Sequence, residues 1–206
     1  MEKFAKKANM AAKALATTTN EYTKAALIYY QQGLEGEAVD KRTDITMKMA
    51  NVTGEAAEDV SSYMTAIWNN FDNGSKSLEY YADVMTALGA ATASSTDEIA
   101  TGLEKFAGIA ETVGLSYEYA TSALATLVAQ TRQSPETVGT ALKTIFSRLQ
   151  GLKLGETLDD GTSLNKYSEA LKTVGVDIKE SNGELKDMDK ILDELGARWN
   201  YIGKAE

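Results

Sequence analysis

Between Val60 and Phe71 the chain reads Val60-Ser61-Ser62-Tyr63-Met64-Thr65-Ala66-Ile67-Trp68-Asn69-Asn70-Phe71. Its apolar residues, Val60, Tyr63, Met64, Ile67, Trp68 and Phe71, fall at i, i+3, i+4, i+7, i+8 and i+11. That spacing is one broad apolar face of an α-helix, not the alternation of a half-buried strand. Working outward, the same period returns in Ile99, Leu103, Phe106, Ala110 and Val113, and again in Ala120, Ala123, Leu124, Leu127 and Val128. Val138, Leu142, Ile145, Phe146 and Leu149 trace a further face. Shorter matches run through Leu78, Tyr81, Met85 and Leu88, through Leu164, Tyr167, Leu171 and Val174, and through Ile191, Leu192, Leu195, Trp199 and Ile202. Ala38, Arg42, Ile45, Met49 and Val52 would thread an arginine stem into an apolar stripe. The first thirty residues also read as helix, with Thr17-Thr18-Thr19 a weak point because β-branched side chains lose χ1 freedom there. The pattern predicts an all-α fold of about eight helices, packed mainly as helical hairpins into a compact multi-helix domain.

Start and stop signals agree with these faces. Ser95-Thr96-Asp97-Glu98 is a capping box, and Ser134-Pro135-Glu136 sets an N-cap, a first-turn proline and an acid in order. Thr53 and Ser116 read as further N-caps, and Gly89, Gly114, Gly151 and Gly175 as left-handed stops. One stretch breaks the helical period: Val176-Asp177-Ile178, the turn Asn182-Gly183, then Glu184-Leu185. It predicts a small β-hairpin near residues 176–185. Asp159-Asp160-Gly161-Thr162-Ser163 is the most linker-like run, without dividing the chain.

Composition removes much chemistry. The 206 residues contain no cysteine and no histidine. Disulfides, Cys/His zinc sites, catalytic triads and imidazole shuttles are therefore excluded. One proline argues against a loop-rich β-sandwich, and a formal charge of −9 repels a phosphate backbone, so no specific nucleic-acid binding is expected. No apolar run approaches the ~20 residues of a membrane span or forms the core of an export signal. The chain reads as a piece of a longer protein, with Met1 an added start.

No calcium loop, phosphate loop or dinucleotide turn is present in the sequence. Glu55/Glu58, Asp97/Glu104 and Glu136 are carboxylates that a glycosidase could use on spacing alone. They read better as solvated first-turn acids that offset helix dipoles. Trp68 and Trp199 fall on apolar stripes and are expected in the core. In Tyr29-Tyr30 and Tyr80-Tyr81 one ring of each pair should leave the core, half covered or free to anchor a partner. No catalytic, cofactor-binding or metal residue is assigned, and no cofactor.

The order of several short runs then resembles bacteriophage tail tape measure proteins. These runs are Tyr29-Tyr30-Gln31-Gln32-Gly33-Leu34, Arg42-Thr43-Asp44-Ile45-Thr46-Met47-Lys48-Met49-Ala50-Asn51-Val52 and Trp68-Asn69-Asn70-Phe71. The later chain is similar to the core region common to that family. Its elements are Gly114-Leu115-Ser116, Gly139-Thr140-Ala141-Leu142, Arg148-Leu149, Leu171 to Val176, the turn at Asn182-Gly183, and Ile191-Leu192-Asp193-Glu194-Leu195. The resemblance implies residues 1–28 as an N-terminal helical extension and 29–206 as the tape measure core module, within which the run Gly89 to Ser95 itself reads as a soft break at 89–95. It implies a structural virion protein of a phage or prophage, lying in the tail lumen after assembly in the host bacterial cytoplasm. Such a protein sets tail-tube length and leaves the tail on DNA ejection. The implied partners are the tail-tube protein, tail assembly chaperones, tail-tip proteins and further copies of itself. Two other readings stand beside this one: a helical adaptor or chaperone-like interaction module, and a tail-associated cell-wall hydrolase segment.

Overall fold

The computed structural model describes residues 2–154, 165–182 and 186–202. Among them the chain forms ten α-helices and a closing 3-10 turn at Trp199–Tyr201. The helices are α1 Glu2–Ala14, α2 Thr19–Gln31, α3 Gly36–Thr53, α4 Ala57–Phe71 and α5 Leu78–Ala91. They continue with α6 Thr96–Thr112, α7 Tyr117–Thr131, α8 Pro135–Leu154, α9 Asn165–Thr173 and α10 Met188–Arg198. No helix among the described residues is long and apolar enough to cross a membrane.

Helix starts follow local chemistry. The Ser95 hydroxyl accepts from the Glu98 amide at 3.4 Å, and the Glu98 carboxylate accepts from the Ser95 amide at 2.8 Å. Ser116 and Ser134 cap α7 and α8 in the expected way. The threonine run does more than weaken a helix. Thr18 and Glu21 form a second reciprocal capping box, so the chain stops at Ala14 and restarts at Thr19. Thr53 is not the cap of α4. It sits in the last turn of α3 and donates to the Met49 carbonyl at 2.9 Å, while Ala56 takes the cap position without a side-chain bond.

Two of the expected stops are also not stops. Gly89 lies inside α5, where a Cβ would meet the Thr96 backbone nitrogen at 2.8 Å, and α8 runs on through Gly151 to Leu154. Gly89 is small so that α5 can pass close to the start of α6.

α6 is the central helix. It packs most heavily on α8, then on α4 and α7, and also touches α5. The α6–α8 approach depends on paired glycines. A Cβ on Gly139 would collide with the Gly102 carbonyl and sit 3.0 Å from Lys105 Cβ. Around this axis Val60, Met64, Ile67, Ile99, Leu103 and Leu124 are fully buried. Trp68 is 2% exposed, and its indole donates to the Leu78 carbonyl at 3.1 Å. The guanidinium of Arg42 lies 4.8 Å from the ring centre of Trp68, which explains an arginine on the apolar stripe of α3.

A smaller cluster joins Ala8, Ala12, Tyr22, Ala25 and Met47. α2 spans residues 28 and 29 without a break, giving Tyr22 to this cluster and Tyr29 to the main core.

The expected β-hairpin finds no support among the described residues. Among the described residues there is no strand; Gly183, Glu184 and Leu185, where the turn and second arm were expected, lie outside them. Val176 and Ile178 alternate inward because both plug the helical core. Among the described residues the returning chain is held by the Lys186 amide, which donates to the Ile178 carbonyl at 3.0 Å, and by the Lys190–Glu180 ion pair at 3.3 Å. The Met188 amide then donates to the Val113 carbonyl at 3.1 Å, tying α10 to the end of α6. The run 159–163 lies outside the described residues as well.

Candidate functional site

The carboxylates singled out by spacing are mostly dispersed. Glu58 lies in the first turn of α4, Asp97 in that of α6 and Glu136 in that of α8. Glu136 is held below its ordinary pKa by its own backbone amide and by Ser134. Glu104 departs from the first-turn reading: it lies mid-helix and accepts from the Ser62 hydroxyl at 2.8 Å.

Glu55 is the other departure. It precedes α4, near enough to Asp97 in the first turn of α6 to feel its charge. Burial, then the Asp97 charge, pushes the Glu55 carboxyl up. Tyr63 is 2% exposed, and burial together with Glu55 pushes its hydroxyl up too. Glu55 Oε2 and the Tyr63 hydroxyl are both buried and face one another, just outside full hydrogen-bond geometry. Among the described residues no three acidic side chains are grouped to hold a metal ion.

The tyrosine pairs divide as their 100° offset requires. Tyr29 is fully buried, hydrogen-bonded with Thr46 at 2.5 Å and pushed up to about 12 by burial, whereas Tyr30 is 41% exposed. Tyr81 is buried, and half-buried Tyr80 reaches the Glu118 carboxylate. That bond holds Glu118 below the ordinary carboxylate range.

Trp199 is not in the core. It is 65% exposed, and Ile145 and Leu127, also expected on buried faces, are 50% and 36% exposed. The three line one groove of about 540 Å³ where α7, α8 and α10 meet, floored by Leu142, Leu192 and Leu195. Among the described residues no charged side chain lines it, although a quarter of the chain is charged. Periodicity marked each of these residues as facing apolar surface; it carried no sign that their faces converge without being covered.

A second concavity, of about 490 Å³, opens where the α4–α5 loop meets the α6–α7 turn. Beneath it lie packed aromatics, Tyr81 and Tyr117 both buried: Phe71 and Tyr117 stack edge-on at 5.4 Å, and Tyr81 and Tyr117 at 4.9 Å. Tyr117 donates to the Tyr81 carbonyl at 2.5 Å, and Tyr81 to the Phe71 carbonyl at 3.0 Å, which locks the rings in place. The rim is polar, with Asn69, Asp72, Asn73, Lys76, Glu111 and Glu118. The surrounding chain is the most acidic part of the molecule: residues 54–131 hold eleven carboxylates against two lysines, a formal −9.

The chain belongs to the phage-related minor tail protein family, whose model matches residues 4–206. No curated protein and no solved structure matches it.

Proposed function

We propose that this chain is the core module of a tail tape measure protein, the component that sets tail-tube length during assembly and leaves the tail when DNA is ejected. The observation that carries the reading is the family match across residues 4–206, taken with the order of the tape measure-like runs between Tyr29 and Leu195. In this reading the protein is structural and turns over no substrate. It assembles in the bacterial cytoplasm and comes to lie in the tail lumen. It contacts the tail-tube protein, assembly chaperones and tail-tip proteins, and associates with its own copies. Residues 29–206 are the module proper and 1–28 a helical extension from it. The uncharged groove supports the partner-binding side of this reading, since a face of that kind becomes favourable once covered.

A single helix of this length would extend about 300 Å. Folded as ten packed helices, the chain should instead measure roughly 35–45 Å across. The module therefore contributes little length itself, and the measuring falls to segments elsewhere in the parent protein. The test is an in-frame deletion of residues 29–199 in the phage, with electron microscopy of the tails. Lost assembly, or tails shorter by a few tens of ångströms, agrees with the proposal. Tails shortened by about 250 Å would reject the folded module, and tails of unchanged length and full infectivity would reject the role.

A further inference from the structure

We propose that Asn73 is a site of spontaneous hydrolytic modification: the α4–α5 loop poises its side-chain amide for attack by the Gly74 nitrogen, giving a cyclic imide and then aspartyl and isoaspartyl products. The inference goes beyond the tail role and does not depend on it. The sequence holds two Asn-Gly pairs, Asn73-Gly74 and Asn182-Gly183, and Gly183 lies outside the described residues. The seven other asparagines lie in helices or the closing 3-10 turn. Each of those precedes a residue whose side chain crowds the nitrogen that would attack. Asn73 has neither restraint.

Two hydrogen bonds of the loop fall on the reacting groups. The Gly74 amide donates to Asp72 Oδ1 at 3.0 Å and to no main-chain carbonyl. That carboxylate, steadied by the Tyr81 hydroxyl beside it, stands within a general base's reach of the proton the nitrogen must lose. The Ser75 amide donates to Asn73 Oδ1, also at 3.0 Å. It draws electrons from Cγ and sits where the oxyanion of a tetrahedral intermediate forms. Closing that turn folds the side chain back along its own main chain, which brings Cγ beside the Gly74 nitrogen. Gly74 has φ +78°, so the residue that leaves the attack unhindered is also the one the turn requires. Asn73, Gly74 and Ser75 are all exposed, and water reaches the imide.

The Gly74 N–Cγ bond forms as the amide proton passes to Asp72. The Cγ–Nδ2 bond then breaks, and the NH2 group takes that proton and leaves as ammonia. Water opens the imide in one of two ways. Attack at Cγ gives aspartate; attack at the main-chain carbonyl carbon gives isoaspartate, with the main chain rerouted through Cβ and Cγ. Solvent water is the one reagent consumed. Either product sets a new carboxylate beside Asp72, in the most acidic stretch of the chain. The isoaspartyl form also lengthens the main chain between α4 and the Ser77 cap of α5.

The test is incubation of the purified full chain at mildly alkaline pH and physiological temperature, both folded and in guanidinium chloride. Peptide mass mapping over time follows the exchange of the Asn73 NH2 group for OH, and chromatography separates aspartate from isoaspartate. The expected result is conversion of Asn73 while the helical asparagines stay intact, several-fold faster in the folded chain than in denaturant. Asp72→Asn keeps the shape of the side chain and should slow the folded-state rate roughly tenfold, less than the factor of about a hundred that an evolved catalytic base contributes. The comparison with denaturant uses the parent chain alone, so it stands whether or not that variant folds. A folded-state rate equal to or below the denatured one would overturn the proposal. So would an Asp72→Asn rate matching the parent's, or an Asn73 that stays intact while Asn182 converts.

Discussion

α4 and the end formed by α7, α8 and α10 carry the same kind of apolar stripe and use it differently. On α4 every large member of the stripe up to Trp68 is buried, covered by α6, α2 and Arg42 of α3. At the other end Leu142 and Phe146 are covered, while Leu127, Ile145 and Trp199 stand open around the groove. The two tryptophans condense the contrast. Both sit on helical apolar spacing; one has a ring neighbour, a cation and a hydrogen-bond acceptor, and the other is 65% exposed. A stripe reports that one side of a helix wants apolar company. Whether that company belongs to the same chain is a separate property, decided by which other faces the connections bring within reach.

Removing side chains from the two regions should therefore give unequal effects. Trp68→Ala empties a filled site and removes the indole's hydrogen bond to the Leu78 carbonyl, at a cost of about 3–5 kcal/mol in chemical denaturation. A variant as stable as the parent would mean that α4 does not face the core.

The α6–α8 crossing sharpens the same point, since it marks the border between the covered and open regions. Gly139→Ala drives a methyl into the Gly102 carbonyl and should cost about 1–3 kcal/mol, although alanine is the better helix former. A gain in melting temperature would show that the two helices do not approach closely at Gly102 and Gly139.

Ser95→Ala removes one half of the capping box at the start of α6 and should cost about 1 kcal/mol. Trp199→Ala should change stability by less than about 0.5 kcal/mol in the same denaturation experiment, as for an exposed site. Equal losses from Trp68→Ala and Trp199→Ala would abolish the distinction between the two ends.

The smallest effect concerns Glu55, where burial raises the folded pKa above the ordinary 4.5. An acid with a raised folded pKa binds its proton more tightly folded than unfolded. Its contribution is thus most favourable below 4.5 and is lost as pH rises through the folded value. Glu55→Gln keeps the shape without the charge. Relative to the parent, its melting temperature should be unchanged near pH 4 and higher at neutral pH. A difference that does not vary with pH would contradict the burial of that carboxyl.

Much of the helical architecture was legible because capping and periodicity are local. Ser95-Thr96-Asp97-Glu98 and Ser134-Pro135-Glu136 start helices by bonds spanning three residues, and nothing distant overrides them. Gly89 failed as a stop because its smallness answers to Thr96 packed beside it, a tertiary fact absent from its neighbours. Val176 and Ile178 imitate a strand because alternation also suits two side chains plugging a helical core. Neither surface could be read ahead of the fold. The groove needs three helices to converge, and the cleft needs Asn69 to Lys76 brought against Glu111 and Glu118.

The contrast between the two ends is tested most directly by the tryptophans themselves. In Trp199→Phe only Trp68 emits, and in Trp68→Phe only Trp199. Acrylamide quenching of the two purified variants compares their accessibility. The account predicts blue-shifted, quencher-resistant emission from Trp68 and red-shifted, freely quenched emission from Trp199. Equal quenching, or protection of Trp199 in a verified monomer, would contradict it.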